Sequence, residues 1–142
     1  MTRSITVPGL RAALLIGALA CAAGSPLPAL AATPAEVLAG YQAQATGPAS
    51  PERGQKLFTQ RFKGGLFESC ADCHTGNPLK TGRDQTAEKP LPPLAPAANP
   101  KRLTEATKVE NYFRLNCKDV VGRECSAQEK ADVLAWLISL KP

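Results

Sequence analysis

The chain has 142 residues, 44% hydrophobic but only 5% aromatic, with 13 Pro, 11 Gly, 5 Cys, 1 His, 1 Met and a formal net charge of +5. That length holds one small domain rather than two, and a mild positive balance without a basic stripe or interleaved aromatics excludes a nucleic-acid-binding protein. With so few large side chains the core is thin, and an apolar group from outside the chain is expected to help fill it.

Residues 1–31 read as a secretory signal peptide. Arg3 and Arg11 supply the positive start, Ala12 to Ala23 the apolar run, and Ala29-Leu30-Ala31 a small-residue cleavage site. The apolar run is too short to span a bilayer. Ala18-Leu19-Ala20-Cys21 loosely matches a lipid-attachment box but lacks its first aliphatic residue, so lipid anchoring at Cys21 is not expected. Cleavage after Ala31 leaves a single domain over residues 32–142, removes two arginines so that +5 becomes +3, and implies a periplasmic protein.

Thr33-Pro34-Ala35-Glu36 opens a helix: Thr33 as N-cap, Pro34 at the first helical position, Glu36 closing a capping box. Val37, Leu38 and Tyr41 give it an apolar face, and a stop is expected near Gly47-Pro48. Ser50-Pro51-Glu52 opens a second helix. Gly54 and Phe58 share one face of it, which suits close approach of a partner helix over the glycine; an ordinary amphipathic helix fits the same pattern.

After a short glycine-containing loop between Lys63 and Phe67 comes Cys70-Ala71-Asp72-Cys73-His74, the covalent attachment motif for c-type haem. On one helical turn both thiols reach the vinyl groups along one porphyrin edge, and His74 stands beneath the iron as proximal ligand. A thioredoxin-like dithiol would want βαβ units around it, and a zinc site would need more clustered donors than one Cys pair and one His. From Thr75 to Pro100 little regular structure is expected, because Pro90, Pro92, Pro93, Pro96 and Pro100 remove amide donors and fix φ. Such a long irregular stretch is expected to wrap the haem edge and to offer a backbone carbonyl to His74 Nδ1.

Helix resumes near Thr104 or Thr107, with Thr107-Lys108-Val109-Glu110 read as a capping box. Val109, Tyr112, Phe113 and Asn116 then fall at i, i+3, i+4 and i+7, which puts Asn116 on the apolar stripe. Cys117 and Cys125 follow, and in an exported protein two otherwise unassigned cysteines are best paired as a disulfide. Ser126-Ala127-Gln128-Glu129 starts a last helix with another capping box. Ala131, Leu134, Ala135 and Ile138 mark its buried face, widened by Val133, Trp136, Leu137 and Leu140. Helical periodicity throughout, with no convincing strand, predicts an all-α domain.

Electron-transfer cytochromes of this size usually hold iron between His and Met or between two His. Neither pair is available, because Met1 leaves with the signal and His74 has no second histidine. The upper ligand is then Asn116, the thiolate of Cys117, a lysine such as Lys108 or Lys118, or nothing. Asn116 could equally cap its helix.

The order Cys-x-x-Cys-His, then Pro93-Leu94-Ala95-Pro96, Arg114-Leu115-Asn116-Cys117, Val121-Gly122-Arg123-Glu124-Cys125 and Glu129 to Leu137 resembles the sphaeroides haem protein family, high-spin monohaem cytochromes c, from about Thr33 to the C-terminus. The resemblance implies a class I cytochrome c-like helical domain around one covalent haem c, and a Cys117–Cys125 disulfide. It further implies that Asn116 is the sixth ligand of oxidised iron and is displaced on reduction, so that oxygen, nitric oxide or carbon monoxide binds. Electrons would come from a dihaem cytochrome c linked to a membrane cytochrome b. The related cytochrome c″ carries His as its detachable ligand. Two functions follow: a redox-gated gas-binding haem, with oxygen reduction as a small terminal oxidase as its furthest extension, or a plain periplasmic electron-transfer cytochrome c. Lack of a firm second ligand favours the first, since a carrier gains from keeping its ligands in both redox states. Peroxidase activity lacks a second His to act as distal acid-base group.

Overall fold

The computed structural model describes residues 31–142; the expected signal peptide up to Leu30, and Cys21 with it, lie outside the described residues. In chain order the elements are α1 (Pro34–Gln42), α2 (Pro51–Thr59), α3 (Ala71–His74), β1 (Gly82–Arg83), β2 (Pro90–Leu91), α4 (Ala106–Val121) and α5 (Ala127–Ser139). None of the described helices is long and apolar enough to cross a membrane.

The expected caps of α1 and α5 form. Thr33 and Glu36, like Ser126 and Glu129, exchange reciprocal side-chain and backbone bonds. α1 stops at Gln42, short of Gly47, because the Gln42 amide folds over the next turn. Its Nε2 donates to the Gly47 carbonyl at 2.8 Å and its Oε1 accepts from Ala49 N–H at 2.8 Å.

α5 is the axis of the domain, crossed by α2 and α1. At the α2 crossing a Cβ on Gly54 would collide with the Asp132 carbonyl, so only glycine lets the two backbones approach. One turn on, Phe58 is 2% exposed and lies 5.0 Å from the Trp136 ring, joined in the core by Val37, Leu103, Val109, Val133, Leu134 and Leu137. Of the expected α5 face, Ala131 and Leu134 are buried with Val133, Trp136 and Leu137, while Ala135, Ile138 and Leu140 are half-buried.

Asp132 is buried too, at 4% exposure, which the apolar pattern did not show. It accepts from Ser50 N–H at 2.7 Å, Arg53 Nε at 2.7 Å, Arg53 Nη2 at 2.8 Å and Gln128 Nε2 at 3.0 Å. A carboxylate pays its desolvation only with such partners, and here they tie the α1–α2 loop and α2 to α5.

Two expectations need correction. α4 begins at Ala106 with Glu105 as N-cap, and no side chain caps it, so Thr107 lies inside the first turn and closes no capping box. Glu110 is drawn away by Tyr41 and Lys130. The proline-rich stretch also contains a strand pair: β1 and β2 run antiparallel, with Gly82 opposite Leu91 and Arg83 opposite Pro90. Asp84 Oδ1 nucleates that hairpin by accepting from Thr86 and Ala87 N–H, each at 2.8 Å, and Pro90 is tolerated because the ladder is all edge. The domain remains mainly helical.

Candidate functional site

Cys70 to His74 form one turn, closed by His74 N–H donating to the Cys70 carbonyl at 3.1 Å. Asp72 anchors its start, accepting from Ser69 N–H at 2.9 Å and Ser69 Oγ at 3.0 Å. The β1–β2 hairpin backs the turn: a Cβ on Gly82 would collide with the Cys73 carbonyl, and Gln85 Nε2 donates to the Asp72 carbonyl at 3.0 Å. Cys70 and Ala71 lean on the core, and the His74 ring lies 6.2 Å from Phe58.

The chemistry of this turn separates the readings. Cys70 and Cys73 are free thiols, both half-buried. Burial pushes the Cys70 thiol up to about 11, further aided by the charges of Asp72 and Cys73. The turn also lacks the strand-helix-strand setting of a thioredoxin-like dithiol. Among the described residues no three His, Cys, Asp or Glu side chains gather to hold a metal ion, so a zinc site does not fit either. Burial, and then the Arg102 guanidinium, hold His74 below the usual histidine range, which keeps its imidazole in the neutral form that ligates a metal.

The backbone carbonyl expected from this stretch for His74 Nδ1 is not found among the described residues. Pro93 O accepts from Asn99 Nδ2 and Arg102 Nε, both at 3.2 Å, and among the described residues no side-chain hydrogen bond involves the His74 ring. Pro78 O takes the amides of Leu94 and Ala95, so this stretch is braced within itself as well as held to α3 through Gln85.

The candidates for the upper side are carried by α4. Its expected stripe divides: Val109 is buried and Phe113 half-buried against the core, while Tyr112 is 48% and Leu115 49% exposed. Asn116 lies on the border between the two faces and is exposed. Next to it, Cys117 and Cys125 sit within bonding distance, with Cα atoms 5.7 Å apart and both residues buried. That pairing removes the Cys117 thiolate as a ligand. Lys108 and Lys118 turn to Glu105 at 3.4 Å and Glu124 at 3.5 Å.

A glycine strap joins the two sides. Gly65 lies so close to α4 that a Cβ would collide with the Asp119 carbonyl, Phe67 N–H donates to that carbonyl at 2.9 Å, and Gly64 lies against Val121 and Gly122. Gly122, at φ +79°, ends α4 in the left-handed conformation.

Two thiols not bonded to each other and an imidazole on one turn suit a large planar apolar group held covalently and ligated from below. A helical domain built around such a turn is a c-type cytochrome. A family described as a domain of unknown function, DUF1924, matches residues 44–137. The chain is 45% identical over 114 residues to cytochrome c-type protein SHP of Cereibacter sphaeroides, covering 78% of this chain and 88% of that one. It is 42% identical over 88 residues to cytochrome c″ of Methylophilus methylotrophus, 61% of each chain. Among solved structures, oxidised SHP, an oxygen-binding cytochrome c, superposes with a TM-score of 0.74 at 41% identity, covering 78% of this chain and 99% of that one. Oxidised cytochrome c″ superposes with a TM-score of 0.67 at 34% identity, covering 77% and 95%. The chain belongs to the sphaeroides haem protein family, related to cytochrome c″, and carries covalent haem c.

Proposed function

We propose that haem c is attached at Cys70 and Cys73 with His74 as lower ligand. Asn116 closes the upper side in the oxidised protein, and on reduction it lets go so that oxygen, nitric oxide or carbon monoxide binds. Haem supplies the one-electron couple and an axial position open to small gases. The chain supplies the rest. His74 holds one side firmly, and the Asn116 amide, a neutral oxygen donor, suits ferric iron and is a poor match for soft ferrous iron.

The observation that carries this reading is the donor inventory of the described residues. They contain one histidine and no methionine, Cys117 is paired with Cys125, and Asn116 is what α4 presents beside its exposed apolar face. The oxygen-binding relative SHP, which covers most of this chain, supports the gas-binding part. The signal at residues 1–31 supports a periplasmic location with the disulfide oxidised, and the family resemblance supports a dihaem cytochrome c and a membrane cytochrome b as electron source.

Carbon monoxide titration of the dithionite-reduced holoprotein tests the reading. Rapid stoichiometric uptake is expected. No uptake, together with six-coordinate spectra in both redox states, overturns it and leaves a plain electron carrier.

A further inference from the structure

α4 carries Asn116 but is weakly held. It crosses no other helix closely, and no side chain caps its start. Its C-terminal part is fixed by the glycine strap and by Cys117, so the question is what fixes the rest.

One carboxylate ties it to two other helices. Glu110 accepts from Tyr41 Oη of α1 at 2.9 Å and from Lys130 Nζ of α5 at 2.8 Å to each of its oxygens. The Lys130 side chain is only 13% exposed and its ammonium also lies 5.6 Å from the centre of the Tyr41 ring. That ring meets Phe113 edge-on at 5.7 Å, one turn beyond Glu110. Asn116 follows Phe113 by three residues, on the neighbouring line of side chains. These bonds join α4 to α1 and α5 from different directions and add to the packing of Val109 and Phe113 on the core in fixing its rotation about its own axis.

We propose that Glu110 is a positioning residue for Asn116: with Tyr41 and Lys130 it sets the rotation of α4 and so the readiness of the amide to ligate oxidised iron. This rests on the assignment of Asn116 as that ligand. Glu110 touches neither haem nor gas and acts only through the helix.

The test uses ferric holoprotein and added imidazole, which competes with Asn116. Glu110→Ala is compared with Glu110→Gln, whose amide oxygen still accepts from Tyr41 and Lys130, each made with Asn116 present and in an Asn116→Ala background. Glu110→Ala is expected to raise the five-coordinate ferric fraction and speed imidazole association about fivefold. It should also speed amide hydrogen exchange between Thr107 and Asn116, and Glu110→Gln should recover most of each effect. In the Asn116→Ala background the change in imidazole rate should vanish. An unchanged rate in Glu110→Ala, or an equal change in both backgrounds, overturns the positioning role while leaving Asn116 as ligand. If Asn116→Ala alone alters neither spin state nor rate, the ligand assignment fails and this inference with it. Should Glu110→Ala not fold, Tyr41→Phe, which keeps the ring on Phe113, is expected to shift the same readouts in the same direction by a smaller factor, and no shift overturns the proposal.

Discussion

Asp132→Ala tests the buried anchor between α2 and α5. The carboxylate is 4% exposed and accepts four hydrogen bonds. The Arg53 side chain is 55% exposed, so its ion pair is screened and worth about 1 kcal/mol at most. Ser50 N–H and Gln128 Nε2 lose their acceptor, at about 1 kcal/mol each. The expected loss is therefore about 3 kcal/mol, a fall in Tm of roughly 10 °C for a domain of this size. Urea and thermal unfolding of the holoprotein, followed by far-ultraviolet circular dichroism, measure it. Arg53→Met should cost only about 1 kcal/mol by the same reasoning. If both variants cost the same, the charge pair rather than the hydrogen-bonded anchor carries the stability. The pH dependence has a definite sign. Burial raises the Asp132 carboxyl, but Arg53, Ser50 and Gln128 outweigh it and hold it below the ordinary 3.8. A carboxyl depressed in the folded state stabilises above its unfolded value and loses that contribution as pH falls through its folded one. Wild type should lose this contribution below pH 3.8, and Asp132→Ala should show a correspondingly flatter acid limb.

Gly54→Ala should destabilise, whereas Gly→Ala at an exposed helical site would stabilise, because its Cβ meets the Asp132 backbone; an equilibrium unfolding midpoint at or above wild type would contradict the close crossing. Ser126→Ala should cost about 1 kcal/mol through its lost cap, whereas Thr107→Ala, inside α4, should be near neutral in the same unfolding assay. Asn116→His should convert ferric protein to a bis-imidazole low-spin spectrum with haem still attached. Because an amide does not titrate in the working range, ligand exchange in wild type should stay nearly flat from mildly acidic to mildly alkaline pH, and a steep dependence in stopped-flow traces would point to a lysine.

Local chemistry was legible in the chain, and long-range pairing was not. Pro34 and Ser126 announce their helices because capping is decided within four residues, and the Gly54–Phe58 spacing foretold a close crossing because it needs only one face. The α4 start misled for a related reason. Thr107 and Glu110 have capping-box spacing, yet Glu110 finds Tyr41 and Lys130, far away in sequence, and no local pattern signals that. Asp132 escaped notice because a charged residue amid Ala131 and Val133 looks like a solvent position until Arg53 and Ser50 arrive. A signal did exist: α5 offers an acidic residue at Asp132 and α2 a basic one at Arg53, facing each other once Gly54 fixes the crossing. Asn116 was placed correctly on α4, but the stripe split because Tyr112 faces away from Phe113, a division that only the packing of α1 decides.

The strap formed by Gly64 and Gly65 bears on how this pocket tolerates sequence drift. Main chain rests on main chain there, so no side chain between the lower and upper walls can lengthen or shorten to alter their separation. Lys63 and Leu66 are free to vary, since they point elsewhere than the seam, whereas even a methyl group at Gly65 would lift α4 away from the turn that bears His74. The width of the gap is thus written into two residues that have no side chain at all.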